Sequence, residues 1–128
     1  MSNQFQVKEQ MAGFLSSKDD FTSWLKSKKP DDIVGKSLDP VECVLCTYIM
    51  ERSPLKMRHT VFTYAIARFE LIDNPEPFWL ERDDRTKVLS LPDWMGAYAM
   101  ALDREVASKE LKPVTAAIAL SVIEDLNQ

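Results

Sequence analysis

The stretch His-Thr-Val-Phe-Thr-Tyr-Ala-Ile-Ala-Arg-Phe, from His59 to Phe69, constrains this chain more than any other. β-branched and aromatic residues dominate its first half, and these fit a pleated, half-buried surface better than a helix. As a strand it places Phe62, Tyr64 and Ile66 on one face. As a helix it aligns Val61, Ala65 and Phe69, with Phe62 and Ile66 beside them. The strand reading is preferred and makes the chain α+β. The helix reading, running from Pro54 to Ile72, would make it all-α.

The rest of the chain is punctuated as helices. Val7, Met11, Phe14 and Leu15 form one apolar stripe over Ser2 to Leu15, with Gly13 weakening its end. Ser17 caps a second helix, with Asp20 three residues on. Phe21, Trp24 and Leu25 form its buried side, and Pro30 stops it. Asp39-Pro40-Val41-Glu42 has the form of a capping box with proline at the first helical position. It predicts a third helix with Val44, Leu45, Tyr48 and Ile49 inward, ending near Ser53-Pro54. Asn74-Pro75-Glu76-Pro77 is a turn, after which Phe78-Trp79-Leu80 or Thr86 to Leu89 supplies a second short strand. Ser90 caps a helix on which Trp94, Tyr98, Leu102 and Val106 recur every four residues. Thr115 caps a last one carrying Ala119, Leu120, Ile123 and Leu126. The expected fold is one mostly helical α+β domain over residues 1–128, with four or five helices around a short β ribbon.

Composition then narrows function. At 128 residues, with 45% hydrophobic and 28% charged content, the chain is an ordinary globular domain that needs no metal or disulfide staple. Its net charge of −4 is uneven, +1 over residues 1–64 and −5 over residues 65–128. An acidic chain is a poor binder of nucleic acid, whose affinity comes from Lys and Arg. The densest basic cluster, Lys26, Lys28, Lys29 and Lys36, is interrupted by Asp31 and Asp32. The would-be recognition helix of a helix-turn-helix, Ala116 to Leu126, has no Lys or Arg and carries Glu124 and Asp125. No signal peptide opens the chain and no apolar run is long enough to span a bilayer, so a cytoplasmic protein with no membrane contact is expected.

Residues with chemical capacity are sparse. Cys43-Val44-Leu45-Cys46 is a C-x-x-C, and on a helix both sulfurs share a face. A redox role needs the first cysteine at the helix N-terminus. With Asp39 as the cap, Cys43 falls a turn inside, so both cysteines read as buried small hydrophobes. A structural zinc site wants four ligands, and only His59 offers a third. His59 has no carboxylate partner in sequence to make it a general base. The pairs Asp19-Asp20, Asp31-Asp32 and Asp83-Asp84 read as a capped helix start, a loop and a solvated turn. No catalytic residue, cofactor or metal is assigned. Phe78 and Trp79, after the proline-rich turn, are the candidate partner-binding residues, because aromatics anchor interfaces.

Three patches carry a resemblance. They are Val34-Gly35 with Asp39 and Cys43-Val44-Leu45, then Leu91-Pro92-Asp93-Trp94 with Leu102-Asp103, then Val114-Thr115-Ala116-Ala117. Together they resemble a group of small uncharacterised proteins of bacteria, cyanobacteria especially, and their phages. That group more often has Cys-Pro-Leu-Ala where this chain has Cys43 to Cys46, so the resemblance implies no shared role for Cys46. It implies a compact cap-and-helix scaffold and adds no catalytic residue. The leading expectation is therefore a non-catalytic cytosolic protein-interaction or regulatory module with an unidentified protein partner, homodimerisation being left open. The alternatives are nucleic-acid binding through Lys26 to Lys36, and a small metal or thiol protein using Cys43, Cys46 and His59.

Overall fold

The computed structural model describes residues 4–36, 39–73, 76–82, 90–106 and 113–127. Two helices open the chain, α1 (Gln4–Leu15) and α2 (Lys18–Lys26), followed by strand β1 (Ile33–Lys36) and helix α3 (Val44–Arg52). An antiparallel meander of β2 (Met57–Thr63), β3 (Ile66–Leu71) and β4 (Phe78–Glu81) comes next. Helix α4 (Asp93–Val106), strand β5 (Pro113–Thr115) and helix α5 (Ala116–Leu126) complete it. The fold is α+β, and no helix among the described residues is long and apolar enough to cross a membrane.

The β-rich middle is a hairpin rather than one strand. It breaks at Tyr64-Ala65, with Thr63 paired to Ile66 across the turn. Phe62 therefore points into the core and Tyr64 is exposed, so the single face expected for Phe62, Tyr64 and Ile66 does not form. A two-residue hairpin turn usually announces itself with Asn-Gly or Gly; this one has neither. Tertiary contacts hold it instead. The Arg82 amide donates to the Ala65 carbonyl at 2.8 Å, and α4 lies against the Tyr64 carbonyl at Gly96. A β-carbon at Gly96 would stand 2.5 Å from that oxygen.

The second sheet pairs β1 with β5. It joins two segments far apart in the chain: Gly35 faces Val114 and Lys36 faces Pro113, with an irregularity between Ile33 and Gly35. The Asp32 and Pro30 carbonyls then accept from the Ala116 and Ala117 amides at 2.8 and 3.0 Å, fixing the start of α5. α2 ends at Lys26, with Ser27 as its C-cap, and the Pro30 carbonyl receives α5. The expected Thr115 cap is present, its Oγ1 accepting from the Ile118 amide at 3.3 Å. Leu126, expected inward, is exposed. Ser90 does not take up the expected cap position: α4 begins at Asp93, three residues later. Thr86 to Leu89 and Asp83-Asp84 lie outside the described residues, as does the segment 107–112 joining α4 to β5.

The helices converge on Phe21. Its ring meets Trp24 (6.0 Å between centroids), Tyr48 (5.0 Å), Trp94 (5.4 Å) and Tyr98 (4.9 Å). Phe14 of α1 stacks on Tyr48 at 5.2 Å. Such rings combine large apolar area with orientation-dependent contacts, provided their polar tips find partners. Here all four do. Trp24 Nε1 donates to Glu51 at 2.6 Å and Tyr48 Oη to Asp20 at 2.7 Å. Trp94 Nε1 donates to the Leu15 carbonyl at 2.9 Å and Tyr98 Oη to the Ala119 carbonyl at 3.0 Å. Phe21→Ala is expected to cost about 3–5 kcal/mol in denaturant unfolding. A cost below about 1 kcal/mol would show that the cluster re-packs around the loss.

Candidate functional site

Asp39 does nucleate a turn, but not the helix. Its Oδ1 accepts from the amides of Val41 and Glu42, both at 2.8 Å. These two donors hold the Asp39 carboxyl below the usual carboxylate range. α-Helix continuation would require the Pro40 carbonyl to accept from Val44 and the Glu42 carbonyl from Cys46. Both carbonyls are engaged elsewhere. Pro40 accepts from the Phe62 amide of β2 at 2.7 Å, and Glu42 from the Lys36 amide of β1 at 2.9 Å. Helix α3 therefore starts at Val44 with Cys43 as its N-cap, in extended conformation. The expectation that Cys43 lies a turn inside the helix is corrected by these strand contacts.

The correction changes the environment of both thiols. Cys43 is half-buried and Cys46, one turn on, is buried. Cys46 Sγ donates to the Pro40 carbonyl at 3.3 Å, and Cys43 and Cys46 influence each other's ionisation. No hydrogen bond closes a side-chain cap through the Cys43 thiol. Donation from the Cys46 thiol nevertheless favours its anion, with help from the amides of Cys46 and Leu45. Together they hold Cys43 below the ordinary thiol range, against burial and the Asp103 carboxylate. The same hydrogen bond, together with burial, pushes Cys46 far up.

Cys43 opens onto a cavity of about 200 Å³. Pro40, Val44 and Leu45 form one wall, Phe62 another, and Tyr98, Ala99 and Leu102 of α4 a third. The polar lining groups are Lys36, Asp39, Thr63, Tyr64 and Asp103. Lys36 is paired with Glu42 at 2.8 Å. Tyr64 hydrogen-bonds Asp103, bridging the hairpin turn to α4, and this contact raises the phenol to about 12. Two close approaches shape the space. Gly96 seats α4 against the Tyr64 carbonyl, and Gly35 seats β1 against the α3 N-terminus. A β-carbon on Gly35 would lie 2.6 Å from the Val44 nitrogen.

The other singled-out residues fall elsewhere. His59 is on β2 opposite Glu70 and does not line the cavity, so it is not brought to the thiols. Among the described residues no group of three or more His, Cys, Asp or Glu is placed to hold a metal. Lys28 pairs with Glu51 at 3.0 Å, so with Lys36 two of the four clustered lysines face carboxylates. Asp20 is occupied by Tyr48 and Arg52, and Asp32 by the Lys29 amide. Phe78 is a core residue, 2% exposed and stacked on Phe69 at 5.2 Å. Unlike Trp79, it is not presented on the surface. Strand alternation turns Trp79 outward at 42% exposure, with the Arg68 guanidinium 5.8 Å from its ring. Sequence reasoning missed Tyr64, Ala99, Leu102 and Asp103 as a group because nothing local joins a hairpin turn to α4.

Comparison with protein families, curated proteins and solved structures finds no match to this chain.

Gly35→Ala is expected to lower the denaturation midpoint, because the new methyl meets backbone rather than a movable side chain, and to shift amide resonances at Cys43 and Val44. Wild-type stability with unchanged resonances would refute the close approach. Asp39→Ala should lower the urea midpoint, because two turn amides lose their acceptor. The Asp39 contribution is complete at neutral pH and disappears as pH falls through its lowered value. The difference between wild type and variant in urea titrations should therefore narrow on acidification.

Proposed function

We propose that this chain is a non-catalytic protein-interaction module, and that its anchoring site is the cavity between α3, the β2–β3 turn and α4. The observation that carries this reading is the cavity itself, about 200 Å³ with mainly aliphatic and aromatic walls. Small-molecule pockets run to about 300–1,000 Å³, whereas a cavity of about 150 Å³ holds a single benzene ring. This one is sized for one large apolar side chain. Interface hot spots take that form, a bulky residue seated in a desolvated pocket.

Charge selects the flank of the partner's anchor. Asp39 and Asp103 line the site, while Lys36 is already paired with Glu42. The chain as a whole carries −4. A partner segment with a basic residue beside its apolar anchor complements this field. The cavity thus takes the role that the sequence had suggested for Phe78 and Trp79.

N-acetyl-phenylalanine amide is expected to produce saturable amide shifts at Cys43, Thr63 and Leu102 in the millimolar range. Extending it with arginine should tighten binding severalfold and make it salt-sensitive; extending it with glutamate should weaken it. Ala99→Trp, which fills the cavity from α4, should abolish the shifts in a folded protein. No saturable response of the wild type to any of the three probes would sink this reading.

A further inference from the structure

We propose that Cys43 and Cys46 form a reversible dithiol–disulfide pair, in which Cys43 is the attacking sulfur and Cys46 the resolving one. The argument does not depend on what occupies the cavity. It starts from the backbone. Because β1 and β2 take the carbonyls of Glu42 and Pro40, α3 is shortened at its front by a turn. The first cysteine of the C-x-x-C is thereby moved from the helix interior to the N-cap. There the free amides of the first turn and the positive end of the helix favour an anionic sulfur. Reactive C-x-x-C pairs share this placement.

The two sulfurs are inequivalent in the way the chemistry requires. Cys43 is half-buried and lines a cavity, so an incoming disulfide has a route to it. Cys46 is 1% exposed, lies one turn further along α3 and is not among the residues that line the cavity. The charged and titratable groups facing Cys43 are Lys36 from β1, Asp39 from the preceding turn, and Tyr64 from the hairpin. Tyr98 and Asp103 face it from α4. Of these, the Asp103 carboxylate opposes a thiolate, and Lys36 is held by Glu42. Both phenols stay neutral, since Tyr64 is raised to about 12 and Tyr98 is pushed up by burial.

The reaction balances with a low-molecular-weight disulfide as oxidant. The Cys43 thiolate attacks one sulfur of R–S–S–R, forming a Cys43–S–S–R bond and releasing RS⁻, which takes up a proton. Cys46 then loses its proton and attacks the Cys43 sulfur. The Cys43–Cys46 bond forms and the second RS⁻ leaves, again to be protonated. Two electrons pass to the small disulfide and two thiols are produced. Reduction runs the same steps backwards with two thiols.

Glutathione is the probe. The reduced full chain is held at neutral pH in mixtures of reduced and oxidised glutathione, quenched with acid, capped with N-ethylmaleimide and weighed intact. The expected oxidised product carries neither maleimide nor glutathione. Peptide mapping of early time points should place a transient glutathione adduct on Cys43. Cys46→Ser should accumulate that adduct stably, whereas Cys43→Ser should react at least tenfold more slowly. Alkylation of Cys43 should reach half its maximal rate at a pH below the ~8.5 of a free cysteine. Three results overturn the proposal: two maleimides on folded wild type at every glutathione ratio, a glutathione adduct that never closes, or disulfides formed only between copies. If Cys46→Ser does not fold, the wild-type time course and mapping decide by themselves.

Discussion

Everything in this fold is arranged around the ring of Phe21. It is fully buried and touches aromatic side chains from its own helix and from α3 and α4, while Phe14 of α1 closes the cluster through Tyr48. One apolar contact could slide; a ring packed against four others, each with its polar tip held by a named acceptor, cannot shift without breaking hydrogen bonds in low dielectric. The acceptors come from distant parts of the chain, Asp20 and Glu51 on α2 and α3, Leu15 at the end of α1, Ala119 on α5. The cluster therefore sets the relative positions of all five helices among the described residues.

The cavity is a by-product of that arrangement, bounded by elements the cluster holds. Phe21 contacts both Tyr48 of α3 and Tyr98 of α4, and Tyr98 also lines the cavity with Ala99, Leu102 and Phe62. Two glycines bring backbone into contact at its borders, Gly35 under the α3 N-terminus and Gly96 under the hairpin turn. The Tyr64–Asp103 hydrogen bond then ties the turn to α4. Close backbone contacts and a polar tie hold the site open, so it need not be created by the occupant, which reduces the ordering cost of binding.

Competition for backbone carbonyls decides the chemistry at Cys43. Asp39-Pro40-Val41-Glu42 has every local attribute of a helix start, and Asp39 makes the capping bonds such a start requires. Two of the carbonyls that would carry the helix forward are claimed by β1 and β2 instead. Hydrogen bonding is a full accounting of donors and acceptors, so the helix begins where the claims end, at Val44. A residue whose pattern reads as packing becomes an N-cap facing a cavity.

The sequence by itself determined the caps and apolar faces: Ser17 and Thr115 at their helix starts, Phe21, Trp24 and Leu25 inward on α2, Tyr98 and Leu102 inward on α4, and β structure in the middle of the chain. These rest on interactions within about four residues, or on a periodicity that hydrophobic burial enforces in any context. Only the tertiary structure decided the hairpin turn at Tyr64-Ala65, the β1–β5 pairing, the burial of Phe78 against the exposure of Trp79, and the placing of Cys43. Each depends on a partner far along the chain: Arg82 and Gly96 for the turn, Val114 for Gly35, Phe69 for Phe78, Lys36 and Phe62 for the α3 start. Local pattern states which groups want burial or a hydrogen bond, and the packed chain settles which distant group supplies it.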